Sequence, residues 1–220
     1  MMKEIIQPKE IEIPVVKKRQ LEKLDGTIFA PVGEGPFPTV VFYHGRQSSK
    51  SLYLPTGQEL AVNGIVALAF DFSNDELKDR EIEAEAAYFY LQGESYVNSR
   101  QVGIVGSAMG AITATIIAIA KNFEAKSLVL RAPAAFPEAK KSSSISALRN
   151  FKGSLLIIQS ELDEVIPHGN CQLCFDIARR AALKEWKVIK GATHWLGEPN
   201  SPQRKEFRQI VVDWFKRTLV

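Results

Sequence analysis

Gly106-Ser107-Ala108-Met109-Gly110 stands between two apolar segments of different character. Before it, Gln101–Val105 reads as a strand. After it, Met109–Asn122 is apolar on nearly every side, the pattern of a buried helix. A strand that turns sharply into a helix presents one side chain at the apex, in a strained backbone conformation. Crowding on either side then demands small residues two positions before and two after. With Ala108 at the apex those residues are Gly106 and Gly110. With Ser107 at the apex they are Val105 and Met109, which are too bulky. Ala108 is therefore the expected apex. Taken alone, the two glycines fit plain close packing of a helix on a sheet equally well. A phosphate cradle is not spelled here: Gly103, Gly106 and Gly110 do not give G-x-G-x-x-G, and the chain has no G-K-[ST].

Outward from this stretch, strand-like and helix-like segments alternate. Ile11–Lys17 and Arg19–Ala30 read as an antiparallel pair of strands around Asp25-Gly26. Thr39–Tyr43 is a charge-free run of β-branched and aromatic residues, as a buried strand requires. His44–Ser49 is the loop after it, and Pro55–Asn63 a helix stopped by Gly64. Ile65–Phe70 is a strand ending at Asp71, and Asp75–Tyr96 a long helix. Leu128–Leu130, Ser154–Gln159 and Trp186–Ile189 read as further strands. Pro167–Leu183, with Pro in its first turn, and Pro202–Leu219 read as helices. Pro133–Asn150, polar and rich in Ser, is the only room for a cap. The alternation predicts a mostly parallel central sheet with an antiparallel edge and helices on both faces, as one α/β domain over residues 1–220.

Composition narrows the class. The chain has 220 residues, 45% hydrophobic and 24% charged, with a formal net charge of +3. That is an ordinary soluble globular balance. Acidic and basic residues are interleaved without a basic block, which argues against nucleic acid as a partner. Met1–Ile13 carries no apolar core of a signal peptide. The longest apolar helix candidate, Ala111–Ala120, is far short of the about 20 residues that span a bilayer. A soluble, cytoplasmic protein that does not enter a membrane is expected. Cys171 and Cys174 form a C-x-x-C pair, and they read as two reduced thiols one turn apart on a helix. A zinc site needs two more ligands, and only His168 is near.

Two further chemistry-bearing residues follow predicted strands. Asp163 lies just past Ser154–Gln159, in Ser160-Glu161-Leu162-Asp163-Glu164-Val165-Ile166-Pro167. His194 lies just past Trp186–Ile189, in Lys190-Gly191-Ala192-Thr193-His194-Trp195. The order apex, acid, histidine, together with the D-x-x-[IV]-P and G-A-x-H wording, the His44-Gly45 loop and the G-x-A-x-G turn, resembles the α/β-hydrolase superfamily. Within it the chain is similar to compact serine esterases and acyl-peptidases, with the dienelactone-hydrolase branch close in architecture. The resemblance spans residues 39–195.

The resemblance implies an α/β-hydrolase fold with a minimal cap, no cofactor, no metal, and a small or medium carboxylic ester or related acyl compound as substrate. It casts His194 as general base and Asp163 as the acid that orients it, with Glu161 and Glu164 as rivals. It assigns the oxyanion hole to the backbone N–H groups of Met109 and Arg46. The Arg46 side chain then either reaches a polar or anionic part of the substrate or is simply solvated. His44 braces its loop. Phe72, Phe136 and Trp195 are candidates for a substrate pocket or for plain packing. The family often follows its early aspartate with D-x-x-G-x-G-x-S, whereas this chain reads Asp71-Phe72-Ser73-Asn74-Asp75.

One residue departs from the scheme. The family places serine at the apex, and a methyl group cannot attack a carbonyl. Beside a third, in which His194 and Asp163 drive water directly in an active enzyme, two main readings follow from Ala108. It is an engineered replacement of serine in a working esterase, which leaves the chain inactive or strongly impaired. Alternatively, the chain is a natural hydrolase-like protein that binds a ligand or partner in the old pocket and does no chemistry.

Overall fold

The structure, a computed structural model, describes residues 7–120, 123, 125–134 and 148–220. Eight strands form one sheet: β1 (Lys9–Lys17), β2 (Gln20–Phe29), β3 (Phe37–Tyr43), β4 (Val66–Phe70), β5 (Val97–Ser107), β6 (Ala125–Arg131), β7 (Ser154–Leu162) and β8 (Leu183–Thr193). Their spatial order is β1-β2-β4-β3-β5-β6-β7-β8. The hairpin β1–β2 is antiparallel, and β2 also runs antiparallel to β4. Every later pairing is parallel. Among the described residues five helices cover the sheet: α1 (Leu54–Val62), α2 (Leu77–Gln92), α3 (Met109–Ile119), α4 (His168–Ile177) and α5 (Pro202–Thr218).

The central strands are apolar along their whole length because both faces are covered. Val41, Tyr43, Leu68, Phe70, Ile104, Leu128, Leu130, Leu155 and Ile157 point into one core, beneath α2, α3 and α4. Their neighbours Val40, Phe42, Ala67, Ala69, Val105, Val129, Leu156 and Ile158 point into the other, beneath α1 and α5. Helix α5 has the sequence signals of a stable helix. Ser201 caps it by accepting from the Arg204 N–H at 3.2 Å, Pro202 occupies its first turn, and Lys216 and Arg217 lie in its last.

Several boundaries differ from expectation. Helix α2 begins at Leu77 rather than Asp75, because the Asn74 side chain accepts from the Glu76 N–H at 2.8 Å and holds the chain in a turn. It ends at Gln92, capped by Gly93. The helix expected over Pro167–Leu183 stops at Ile177. Ala182 N–H bonds to the carbonyls of Lys152 and Gly153, which pulls the chain into β8 at Leu183. Strands β5, β6 and β8 are all longer than their apolar runs. Residues 135–147, and so most of the expected cap and Phe136, lie outside the described residues. Among the described residues no helix is long and apolar enough to cross a membrane.

Candidate active site

The parallel strands end along one edge of the sheet, and that edge collects the residues singled out above. Tyr43 ends β3 beside Gly106, and Gly106 pairs with Leu130 on the other side. The turn from β5 into α3 therefore stands in the middle of the sheet. Its apex is Ala108, at φ +50° and ψ −116°, a region costly to any residue with a side chain. The two flanking glycines are sterically required. A methyl group on Gly106 would collide with the Gly110 carbonyl and lie 2.6 Å from Ala111 Cα. One on Gly110 would collide with the carbonyls of Tyr43 and His44. The apex is further fixed by its own backbone: Ala108 N–H donates to the Arg131 carbonyl at 2.9 Å, and its carbonyl accepts from Ala134 N–H at 3.2 Å.

Ser107 sits just below the apex and is committed elsewhere. It is buried, and its Oγ takes hydrogen bonds from Tyr53 Oη at 2.7 Å and from Arg131 Nε at 3.1 Å. Among the described residues no histidine hydrogen-bonds to it.

The β7–β8 pairing brings the acid and the histidine together. Leu162 pairs with Thr193, so the next residues, Asp163 and His194, leave the sheet side by side. His194 Nδ1 lies 3.0 Å from both carboxylate oxygens of Asp163. Both side chains are buried. Burial alone would raise the Asp163 pKa. Hydrogen bonds from His194 and from the N–H groups of Ile166 and Val165 outweigh it and hold the carboxyl below its usual range. The two rival acids serve the backbone instead. Glu164 accepts from His194 N–H at 3.2 Å, and Glu161 from Gly191 N–H at 2.8 Å.

The loop after β3 lies across the apex. A methyl on Gly45 would sit 3.1 Å from Ala108 Cβ and 3.2 Å from the Ser107 carbonyl oxygen, tighter than an ordinary contact, so glycine eases this close approach. His44 braces it. Phe72 N–H donates to His44 Nε2 at 3.0 Å, which leaves Nδ1–H to donate to the Gly45 carbonyl at 2.8 Å. Burial, with the nearby Arg80 charge, pushes the His44 pKa down and keeps the ring neutral, although its bond to the Gly45 carbonyl opposes the shift. Arg80 on α2 is wholly buried. It donates to the His44 carbonyl and stands 3.8 Å over the Phe72 ring, and burial pushes its pKa down to about 10.

A cavity of about 220 Å³ opens between these pieces. Ala108, His194, Arg46 and Trp195 line it with Gly45, Gln47, Ser48, Ser49, Ser51, Leu52, Arg131 and Arg204. Met109 opens α3, where its N–H has no acceptor within the helix. Trp195 is half-exposed, and its ring stands perpendicular to His194 at 5.1 Å. Phe72 does not line the cavity. It is buried among Tyr43, His44, Phe70 and Arg80, because the charge and aromatic surfaces beneath the loop take it inward. Phe136 lies outside the described residues. Arg131 and Arg204 are additions that the sequence reading did not single out. Arg131 had a signal, a lone charge closing the apolar run Leu128-Val129-Leu130; Arg204 had none.

Cys171 and Cys174 are free and buried on α4, and burial pushes both thiols up to about 12. No group of three or more metal-binding side chains occurs among the described residues.

No protein-family model matches the sequence, and comparison with curated proteins returns no significant match. Solved structures do match. The esterase domain of a Rhodothermus marinus protein superposes with a TM-score of 0.76 at 18% identity, covering 98% of this chain and 100% of that one. Dienelactone hydrolase from Anabaena variabilis gives 0.75 at 20% identity, covering 97% and 100%. Est1E from Butyrivibrio proteoclasticus gives 0.74 at 15% identity, covering 94% and 96%. Strand order, the single antiparallel edge and these superpositions agree: the chain has the α/β-hydrolase fold.

Proposed function

We propose that this protein is a serine-type hydrolase of small or medium carboxylic esters or related acyl compounds, with alanine standing at its nucleophile position. The observation that carries the reading is the Asp163–His194 pair, whose histidine lines one cavity with a strained apex that presents a side chain. With serine at position 108, His194 takes the hydroxyl proton as the oxygen attacks the substrate carbonyl. Asp163 holds Nδ1–H, fixes the tautomer and stabilises the imidazolium. The N–H groups of Met109 and Arg46 receive the developing oxyanion. His194 then returns the proton to the leaving alcohol, and water releases the acyl group by the same route in reverse.

In the chain as it stands this sequence cannot begin, and residual catalysis of about 10³–10⁴-fold over water is the ceiling for binding and oxyanion stabilisation alone. We take Ala108 as an engineered replacement of serine; the buried Asp163–His194 pair and the glycine-flanked apex support the reading. The test is Ala108→Ser assayed on short p-nitrophenyl esters. A gain in turnover of several orders of magnitude is expected; an unchanged rate rules the reading out. If the source gene encodes alanine here and the serine variant stays inert, the protein is a natural ligand-binding relative.

A further inference from the structure

We propose that Arg80, which lies outside the cavity lining, is a positioning residue of the oxyanion hole: through the His44 carbonyl it holds the loop that carries the Arg46 N–H. The proposal rests on the ester-hydrolase reading and names a residue on which its transition-state stabilisation depends.

Arg80 is wholly buried on α2. Its Nη2 donates to the His44 carbonyl and its Nη1 to Asp75 Oδ1 at 3.3 Å, while its Nε is buried without a partner among the described residues. A cation withdrawn from water with one nitrogen unpaired is costly. Of the other buried positions on α2, Ala84, Ala87 and Leu91 are apolar, and Glu83 is paired with Lys17 at 2.6 Å. Packing alone is served as well by an apolar side chain at position 80. What the cation adds is its bond to a carbonyl of the site loop. Among the described residues no other side chain donates to that carbonyl.

A trans peptide is planar, so the carbonyl of one residue fixes the N–H of the next. Arg80 fixes the His44–Gly45 plane. The His44 ring, donating from Nδ1 to the Gly45 carbonyl at 2.8 Å, fixes the Gly45–Arg46 plane and with it the Arg46 N–H. The first plane is thus held from α2 and the second from within the loop. The same His44 carbonyl stands against the start of α3, where a methyl on Gly110 would lie 2.6 Å from it. Gly110 follows Met109, whose N–H is the other donor of the hole. Arg80 therefore sets the spacing between the two donors. Asp75 joins the same hold, since its Oδ2 faces Arg46 Nε at 3.9 Å while Oδ1 takes Arg80. That outer pair is exposed, and solvent screens it.

The test starts from Ala108→Ser and adds Arg80→Met, which keeps the length and apolar bulk of the side chain. In steady-state kinetics on p-nitrophenyl butyrate, kcat is expected to fall about 10–100-fold with KM within about twofold, because an oxyanion donor acts in the transition state. Arg80→Lys keeps a cation for the carbonyl and is expected to lose only about threefold to tenfold. A folded Arg80→Met variant with kcat unchanged, or with its loss confined to KM, overturns the proposal. A second measurement does not depend on turnover. In the chain with Ala108, the amide resonances of Gly45 and Arg46 are compared with and without Arg80→Met by NMR. Both are expected to shift or broaden, while the amides of β6 and β7 keep their positions. Unmoved Gly45 and Arg46 amides overturn the proposal whatever the kinetics. Should Arg80→Met fail to fold, Arg80→Lys carries both measurements, and a match to the parent in both overturns it. An inert Ala108→Ser chain whose Gly45 and Arg46 amides still respond to Arg80 defeats the hydrolase reading alone.

Discussion

Asp163 presents both carboxylate oxygens to Nδ1 of His194 at 3.0 Å, while Oδ1 also takes the N–H groups of Val165 and Ile166. The acid is held from two sides and cannot turn away. In the Ala108→Ser background, Asp163→Asn keeps the shape and loses the charge. It is expected to lower kcat by about 10³–10⁴-fold with little change in KM. Steady-state kinetics on a p-nitrophenyl ester reads it. A loss below tenfold would show that another group orients the histidine.

The neutral state of His44 makes stability depend on pH. Phe72 N–H needs Nε2 unprotonated, and the folded pKa lies below the ordinary 6.5. Between that lowered value and 6.5 the unfolded chain binds the proton and the folded chain does not, so stability rises with pH across this window. Its contribution is complete above 6.5 and lost as pH falls through the folded value. Urea midpoints measured from pH 7.5 down to pH 5 should fall for the parent chain and fall less for His44→Gln. Parallel curves would remove His44 as the cause.

The apex strain predicts a stabilising substitution. Ala108 at φ +50° carries a side chain where glycine is at ease. Ala108→Gly relieves strain of about 1–3 kcal/mol and adds back about 0.5–1 kcal/mol of unfolded-state entropy. The net expectation is a gain of about 1 kcal/mol in thermal or urea unfolding. A loss of stability would mean that the apex is relaxed.

Ser107 and Ala108 separate in a further experiment. Ser107→Ala leaves the buried Tyr53 hydroxyl and Arg131 Nε without their shared acceptor, at a cost of about 1–3 kcal/mol in unfolding free energy. Tyr53→Phe leaves Ser107 still bonded to Arg131 and should cost about 1 kcal/mol. With serine restored at 108, Ser107→Ala should show its effect in denaturation midpoints and not as the collapse of kcat that loss of a nucleophile gives. Such a collapse in a folded Ser107→Ala variant would move the attacking hydroxyl one residue back.

What could be read from the residues follows the burial of each element. Strands β3, β4 and β7 were legible because two covered faces leave uninterrupted apolar runs. Strand β8 was legible only over Trp186–Ile189. It lies at the sheet edge, where Lys184, Glu185 and Lys187 interrupt the run without penalty. Its start at Leu183 depends on Ala182 meeting Lys152 and Gly153, a contact across 30 positions that no local pattern carries. In the site, the apex position followed from side-chain size alone. The resemblance favoured Asp163 over Glu161 and Glu164, and the β7–β8 register is what sets Asp163 beside His194. Phe72 fits a pocket wall or plain packing equally well from the sequence, and its place under the buried Arg80, invisible as such in the sequence, is the packing one.

The placement of the chemistry along the sheet has a consequence for how the protein fails. The apex hangs from β5, a central strand paired on both sides, whereas His194 hangs from β8, which is paired on one side only. Local opening is easiest where the fewest backbone bonds must break. Opening of β8 alone would carry His194 away from Asp163 and from Arg131 while both cores beneath the central strands stay closed. Heat would then disrupt the Asp163–His194 pair at a lower temperature than it melts the fold, and amide exchange would run faster along β8 than at β5. For this molecule, a retained melting transition is no guarantee of an intact centre.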